Sequence, residues 1–263
     1  MELPLFPLHT VLCPGIVMPL HIFEERYRAL VRHCIETGSP FGIILIREGR
    51  EVGLTRSLSV AGIGAVAEIR EASRYADGRY DLLVAGTGRF ALEGVDVTSA
   101  PYLVGTVTGL DDEVGDEDLA EQLSAAAVRR FVRYLELLRT RDGEDGDILD
   151  IRVEVDTRRE SPVADDEDEA TSELLIDVTD AELAMEPEIQ PRLLIPDDPT
   201  TLSYLLSGII QVELPRRQAL LEAETTVERL AELLILLDRE NLLLRRRLRF
   251  FAPQAGVGGV RRS

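Results

Sequence analysis

The stretch LPLFPLHTVLCPGIVMPLHIFEERY, residues 3–27, decides how the rest of the chain is read. It is almost wholly apolar, yet Pro4, Pro7, Pro14 and Pro19 interrupt it. A proline fixes its own φ and lacks the N–H that a strand ladder needs. The stretch therefore predicts short extended pieces joined by a Pro14-Gly15 turn, with no central strand running through them. Its apolar side chains still require a core. Directly afterwards the period changes. Phe23, Tyr27, Leu30, Val31 and Cys34 recur at helical spacing, with Glu24 and Glu25 at the start and Gly38 and Pro40 at the end.

Further along, Phe41 to Ile46 is a continuous apolar run of strand length and reads as buried on both faces. Residues 57–71 carry small side chains at nearly every other position, and Gly62 and Gly64 mark a bend or a close approach. Asp77-Gly78 is a hairpin turn between strand-like segments, and Gly86 with Gly88 predicts a second tight reversal. Tyr102 to Val107 is a final strand. Short strands, glycine turns and one early helix suggest a small, partly closed β-barrel.

Six pieces resemble the Lon substrate-binding domain family, the PUA-like N-terminal module of ATP-dependent Lon proteases. They are LPLFPLHTVLCPG (3–15), MPLHIFEERYRAL (18–30), FGIILIREGREVG (41–53), GIGAVAEI (62–69), DGRYDLLVAGTGRF (77–90) and APYLVGTV (100–107). They occur in order. The resemblance implies an α+β fold: a PUA-like pseudo-barrel over 1–112, here in a stand-alone copy of the module. It also implies a non-catalytic role, binding unfolded or degron-bearing polypeptides, with a Lon-type protease as a possible partner.

Composition bears on the chemistry. All 29 basic residues are arginine. Without lysine there is neither a Walker A phosphate loop nor the serine–lysine dyad of a Lon-type peptidase. The net charge of −19 is uneven. Residues 1–110 balance at −2, 111–200 at −20 and 201–263 at +3. Such a molecule repels phosphate backbones at long range, which counts against nucleic acid as the main partner. RNA binding, which other PUA-like barrels perform, stands as the alternative. Cys13 and Cys34 lack metal-ligand spacing, and with His9, His21 and His33 they make a poor zinc set. Two buried thiols, no apolar run of membrane length and no basic leader at Met1-Glu2 fit a cytoplasmic protein with no cofactor.

From about residue 117 the period is helical. Leu119, Leu123, Ala127, Phe131, Leu135 and Leu138 form one stripe. Residues 113–140 and 196–252 read as a helical bundle, 141–195 as an acidic and largely flexible insertion, and 253–263 as a disordered tail. In the last helix Val227, Leu230, Leu234, Leu237, Asn241, Leu244, Leu248 and Phe251 follow heptad spacing, with Asn241 placed to set pairing register. Leu233, Ile235, Leu236, Leu242 and Leu243 make that helix apolar well beyond a two-position seam. This favours packing within the chain's own bundle over a weak homodimer through 227–251.

No catalytic constellation is visible. The candidate polypeptide-binding residues are Leu12, Pro14, Met18, His21 and Phe23, around the proline-rich loop and the start of the first helix. Such a patch would accept extended apolar segments. Glu24 and a barrel arginine, Arg89, are candidates for a structural ion pair.

Overall fold

A computed structural model describes residues 1–48, 59–142, 152–155 and 192–251. Its elements run β1 (Glu2–Leu8), β2 (Val17–Ile22), α1 (Glu25–Thr37), β3 (Phe41–Glu48), β4 (Ser59–Val60), β5 (Ile63–Arg74), β6 (Tyr80–Asp96) and β7 (Leu103–Leu110). The remainder is α2 (Glu117–Asp142), β8 (Arg152–Val155), β9 (Arg192–Ile195), α3 (Pro199–Ile209), α4 (Leu214–Glu222) and α5 (Thr226–Phe251).

The strands pair in the order β1-β7-β6-β5-β3-β4, and a parallel pairing of β1 with β3 closes the ring. β1 is thus a wall of the barrel, contrary to the expectation that its prolines keep it from central pairing. The reason lies in the register. Glu2 to Leu5 pair with β7, and Leu5 to Leu8 pair with β3. Pro4 and Pro7 therefore each lie where the strand has a neighbour on one side only, and the missing N–H need not break a ladder. Leu3, Leu5 and Phe6 carry the strand into the core.

β6 is the longest strand and the spine of the sheet. β5 lines one of its edges, while β2 (against Tyr80–Ala85) and then β7 (against Arg89–Asp96) share the other. The second reversal expected at Gly86-Gly88 is absent; β6 passes straight through, with Ala67 opposite Gly86 and Val66 opposite Gly88. Thr87 is the extra residue of a bulge, which coils a strand without ending it. Gly86 is required for a different reason. A Cβ there would lie 2.4 Å from the Cys13 carbonyl oxygen. The close approach lets Gly15 donate to Gly86 O and Gly86 donate to Ile16 O, each at 2.9 Å. The Pro14-Gly15 turn, with Gly15 at φ +77, is thereby fastened to the spine.

The Asp77-Gly78 hairpin forms as expected, with Gly78 at φ +85, and Phe41 to Ile46 are all buried. α1 buries Tyr27, Leu30, Val31 and Cys34 and ends at a left-handed Gly38. Phe23 drops out of the expected stripe because Glu24 is the N-cap and keeps extended backbone.

The helical half packs α2 against α5, with α3 against both and α4 against α3 and α5. Along α5, Leu230, Leu233, Leu236 and Leu237 are fully buried, each contributing roughly 1.5–3 kcal/mol. Asn241 donates to the Arg130 carbonyl of α2 at 3.1 Å, so its register role is exercised inside the chain. The expected α2 stripe shifts by one position at its start. Leu119 is exposed, and Ala120, Ala127, Phe131, Tyr134 and Leu135 are buried. Asp198 caps α3, and Thr225 with Glu228 forms a reciprocal capping box on α5. Of the expected insertion, β8 and β9 form a two-stranded parallel sheet. The acidic run 165–169 and the tail 253–263 lie outside the described residues.

Barrel and helices meet over buried charge. Arg89 (β6) and Arg229 (α5) lie 2.8 and 3.7 Å from the one carboxylate of Asp112. Arg89 also donates to the carbonyls of Leu221 (3.0 Å) and Ala223 (2.7 Å), and Arg229 to Leu220 O (3.1 Å) and Ser203 Oγ (3.0 Å). Those carbonyls close α4, the negative end of a helix dipole. The Tyr204 hydroxyl donates to Asp112, and the Arg229 guanidinium sits 3.8 Å from the Tyr204 ring centre. Burial, followed by the bond to Asp112, pushes the Tyr204 hydroxyl pKa up despite both arginines. The expected Glu24–Arg89 pair does not form. Arg89 is held by Asp112, and Glu24 accepts from Arg26 Nε at 3.0 Å.

Removing one member of a buried pair leaves an uncompensated charge. Asp112→Asn is expected to lower unfolding free energy in urea by about 3 kcal/mol. Gly86→Ala should cost about 1–3 kcal/mol, because the Cys13 carbonyl must move.

Candidate functional site

The first turn of α1, the end of β1 and the end of β2 enclose a small apolar pocket. It is lined by Phe6, Leu8, Leu20, His21, Ile22, Phe23, Glu24 and Tyr27, with a volume of about 130 Å³. Engineered apolar cavities of roughly 150 Å³ accept a benzene ring. The space therefore suits one large apolar side chain. Local chemistry explains its construction. Strand alternation turns Leu20 and Ile22 of β2 toward the core, while His21 stays exposed. The helix then begins only at Glu25, which leaves Phe23 at the rim, 59% exposed.

The rim is aromatic and polar. Phe23 stacks near His21, with ring centres 6.3 Å apart, and Tyr75 approaches His21 edge-on at 6.4 Å. Asp81, paired with His21 in the β2–β6 register, lies 2.5 Å from His21 Nδ1 and accepts the Tyr75 hydroxyl. Hydrogen bonds from Tyr75 and then His21 hold the Asp81 carboxyl below its usual range, and the bond to Asp81 raises the Tyr75 hydroxyl. Across the pocket Arg26 lies over the Tyr27 ring at 4.3 Å.

The five candidates from the sequence divide. His21 and Phe23 line the pocket. Leu12 is core, 1% exposed. Met18 is half-buried against the same core cluster as Leu20, and Pro14 is half-buried in the turn. The sequence reading missed Phe6, Leu8, Leu20 and Tyr27 as lining residues, and Tyr75 and Asp81 as rim residues. The apolar alternation in β2 was a signal for Leu20; nothing local points to Tyr75 or Asp81, which arrive through strand pairing.

Among the described residues no group of His, Cys, Asp and Glu is set to hold a metal ion, and no helix is long and apolar enough to cross a membrane. Cys13 and Cys34 are buried free thiols.

A closed barrel with one early helix, a helical half clamped to it and an apolar rim pocket define a binding module. The chain belongs to the family of the ATP-dependent protease La (LON) substrate-binding domain, whose model matches residues 2–239. It is similar to a Lon N-terminal domain protein from Xanthomonas campestris, at 24% identity and TM-score 0.54, over 89% of this chain and 98% of that one. The N-terminal domain of the Mycobacterium avium complex Lon protease shares the fold at 18% identity and TM-score 0.55, over 90% and 98%. Among curated relatives, Lon protease 2 of Myxococcus xanthus is 26% identical over 132 residues, 50% of this chain and 16% of that protein. The Lon protease of Cytophaga hutchinsonii is 23% identical over 92% of this chain and 24% of its own length. The chain thus spans less than a quarter of the length of either relative.

Burial raises the pKa of each thiol to about 11 and keeps it protonated. Neither Cys13 nor Cys34 should react with a thiol reagent at pH 8 in the folded protein, and both should react in denaturant. Mass spectrometry of the alkylated protein checks this.

Proposed function

We propose that the chain is a non-catalytic polypeptide-binding module that takes up apolar segments of incompletely folded proteins and serves as an adaptor in proteolysis or quality control. The barrel, 1–112, is its client-binding half, and the helices of 113–140 and 196–252 brace it. The observation that carries this reading is Phe23. A large aromatic side chain is left 59% exposed at the mouth of an apolar pocket. Exposed apolar surface of this kind marks a contact site. A pocket of one-side-chain size gives low affinity per segment, as suits clients that share no sequence. Membership of a substrate-binding family supports the same reading.

Phe23→Asp separates site from scaffold. Because Phe23 is exposed, its replacement should change stability by no more than about 0.5 kcal/mol. Capture of a reduced, carboxymethylated client should fall about tenfold, roughly the loss of 1.4 kcal/mol in binding. Leu12→Asp, in contrast, should lower the melting temperature sharply, because it buries an unpaired carboxylate. Unchanged client capture by a folded Phe23→Asp protein would remove the pocket from the argument.

A further inference from the structure

The charges around the pocket are mostly cancelled in pairs. Glu24 is bonded to Arg26 and Glu25 to Arg28 on the helix side. Asp77 is bonded to Arg79 at the hairpin, and Glu68 lies 3.5 Å from Arg70 on β5. Asp81 differs. Among the described residues its hydrogen-bond partners are Tyr75 and His21, and no arginine is bonded to it. Arg79 is bonded to Asp77 and leans over the Tyr75 ring at 5.6 Å, and it acts on the Asp81 carboxyl only through space. A half-exposed carboxylate with no arginine bonded to it thus stands beside His21, close to Phe23 and Tyr75. Aromatic faces next to a carboxylate are the seat a cation prefers. The protein itself uses such a seat at Tyr204 and Asp112 for Arg229.

Resting on the polypeptide-binding reading above, we infer that this site selects extended segments in which a bulky apolar side chain is flanked by arginine or lysine. The apolar side chain enters the Phe6–Tyr27 pocket. The flanking cation lies along the Phe23–His21–Tyr75 row against Asp81. The charge of the whole chain acts in the same direction: at −19 it draws basic segments in and repels acidic ones over distances set by the Debye length. Two contributions are therefore present, a local one at Asp81 and a diffuse one from the acidic bulk. They separate experimentally, because mutation removes the first and salt screens the second more strongly.

The test uses the full chain and short fluorescent peptides with one Leu-Phe-Leu core, flanked by arginine, by serine or by glutamate. Binding is read by anisotropy at about 50 mM and about 300 mM salt. The arginine-flanked peptide should bind about tenfold tighter than the glutamate-flanked one at low salt. That ratio should shrink at high salt without vanishing. Asp81→Asn should remove about a threefold part of the preference while leaving the serine-flanked peptide unaffected. Phe23→Asp should weaken all three. Equal affinity for the three peptides would overturn the inference and leave the pocket reading intact. A preference that survives Asp81→Asn unchanged would also overturn it, since the acidic bulk alone would then be responsible. If none of the peptides binds the native chain, the polypeptide-binding reading falls and the inference falls with it.

Discussion

Two guanidinium groups buried against a single carboxylate hold this molecule in one piece. Removing Arg89 and Arg229 from water costs several kcal/mol each, and one aspartate cannot offset both. The balance comes from the carbonyls of Leu220, Leu221 and Ala223, which close α4 and leave its negative end facing the arginines. Asp112 lies between the last barrel strand and α2, Arg89 on the barrel spine and Arg229 in the first turn of α5. The arrangement therefore forms only when barrel, α4 and α5 have all reached their places. Thr226 and Val227 donating to the backbone of Glu113 and Val114 reinforce the same seam.

The rim pocket is built on a different core from that seam. The cluster shared by barrel and helices gathers Leu3, Leu5, Phe90, Leu103, Tyr204 and Leu221, whereas α1 with Phe6, Tyr80 and Leu82 makes a separate core. The rim pocket belongs to the second core. Its lining is supported from behind by Tyr27, whose ring centre lies 4.2 Å from that of Phe6. A contact surface placed there is carried on packed strands and the first turn of α1, with Phe23 exposed beside them.

Much of the N-terminal architecture was legible because its signals are local. Pro14-Gly15 and Asp77-Gly78 specify turns through φ alone, and Gly38 ends a helix for the same reason. The site was legible only in part. His21 and Phe23 stand in the identifying stretch, but periodicity put Phe23 on the helix, and nearness to the proline-rich loop made Leu12 a surface candidate. The helix start at Glu25 and the burial of Leu12 in the core that packs against α1 reverse both assignments.

Taken by itself, the order of residues determined the element types, the family and the lack of lysine chemistry, since each depends on spacing within a few positions or on composition. Tertiary structure decided the closure of the barrel by a proline-bearing strand, the continuity of β6 through Gly86, the partner of Arg89 and the meeting of His21 with Asp81. Each of these joins residues far apart in the chain. Arg89 reaches a carbonyl 132 positions away. Such contacts are selected by the total free energy of packing and charge compensation, which no short window of sequence contains.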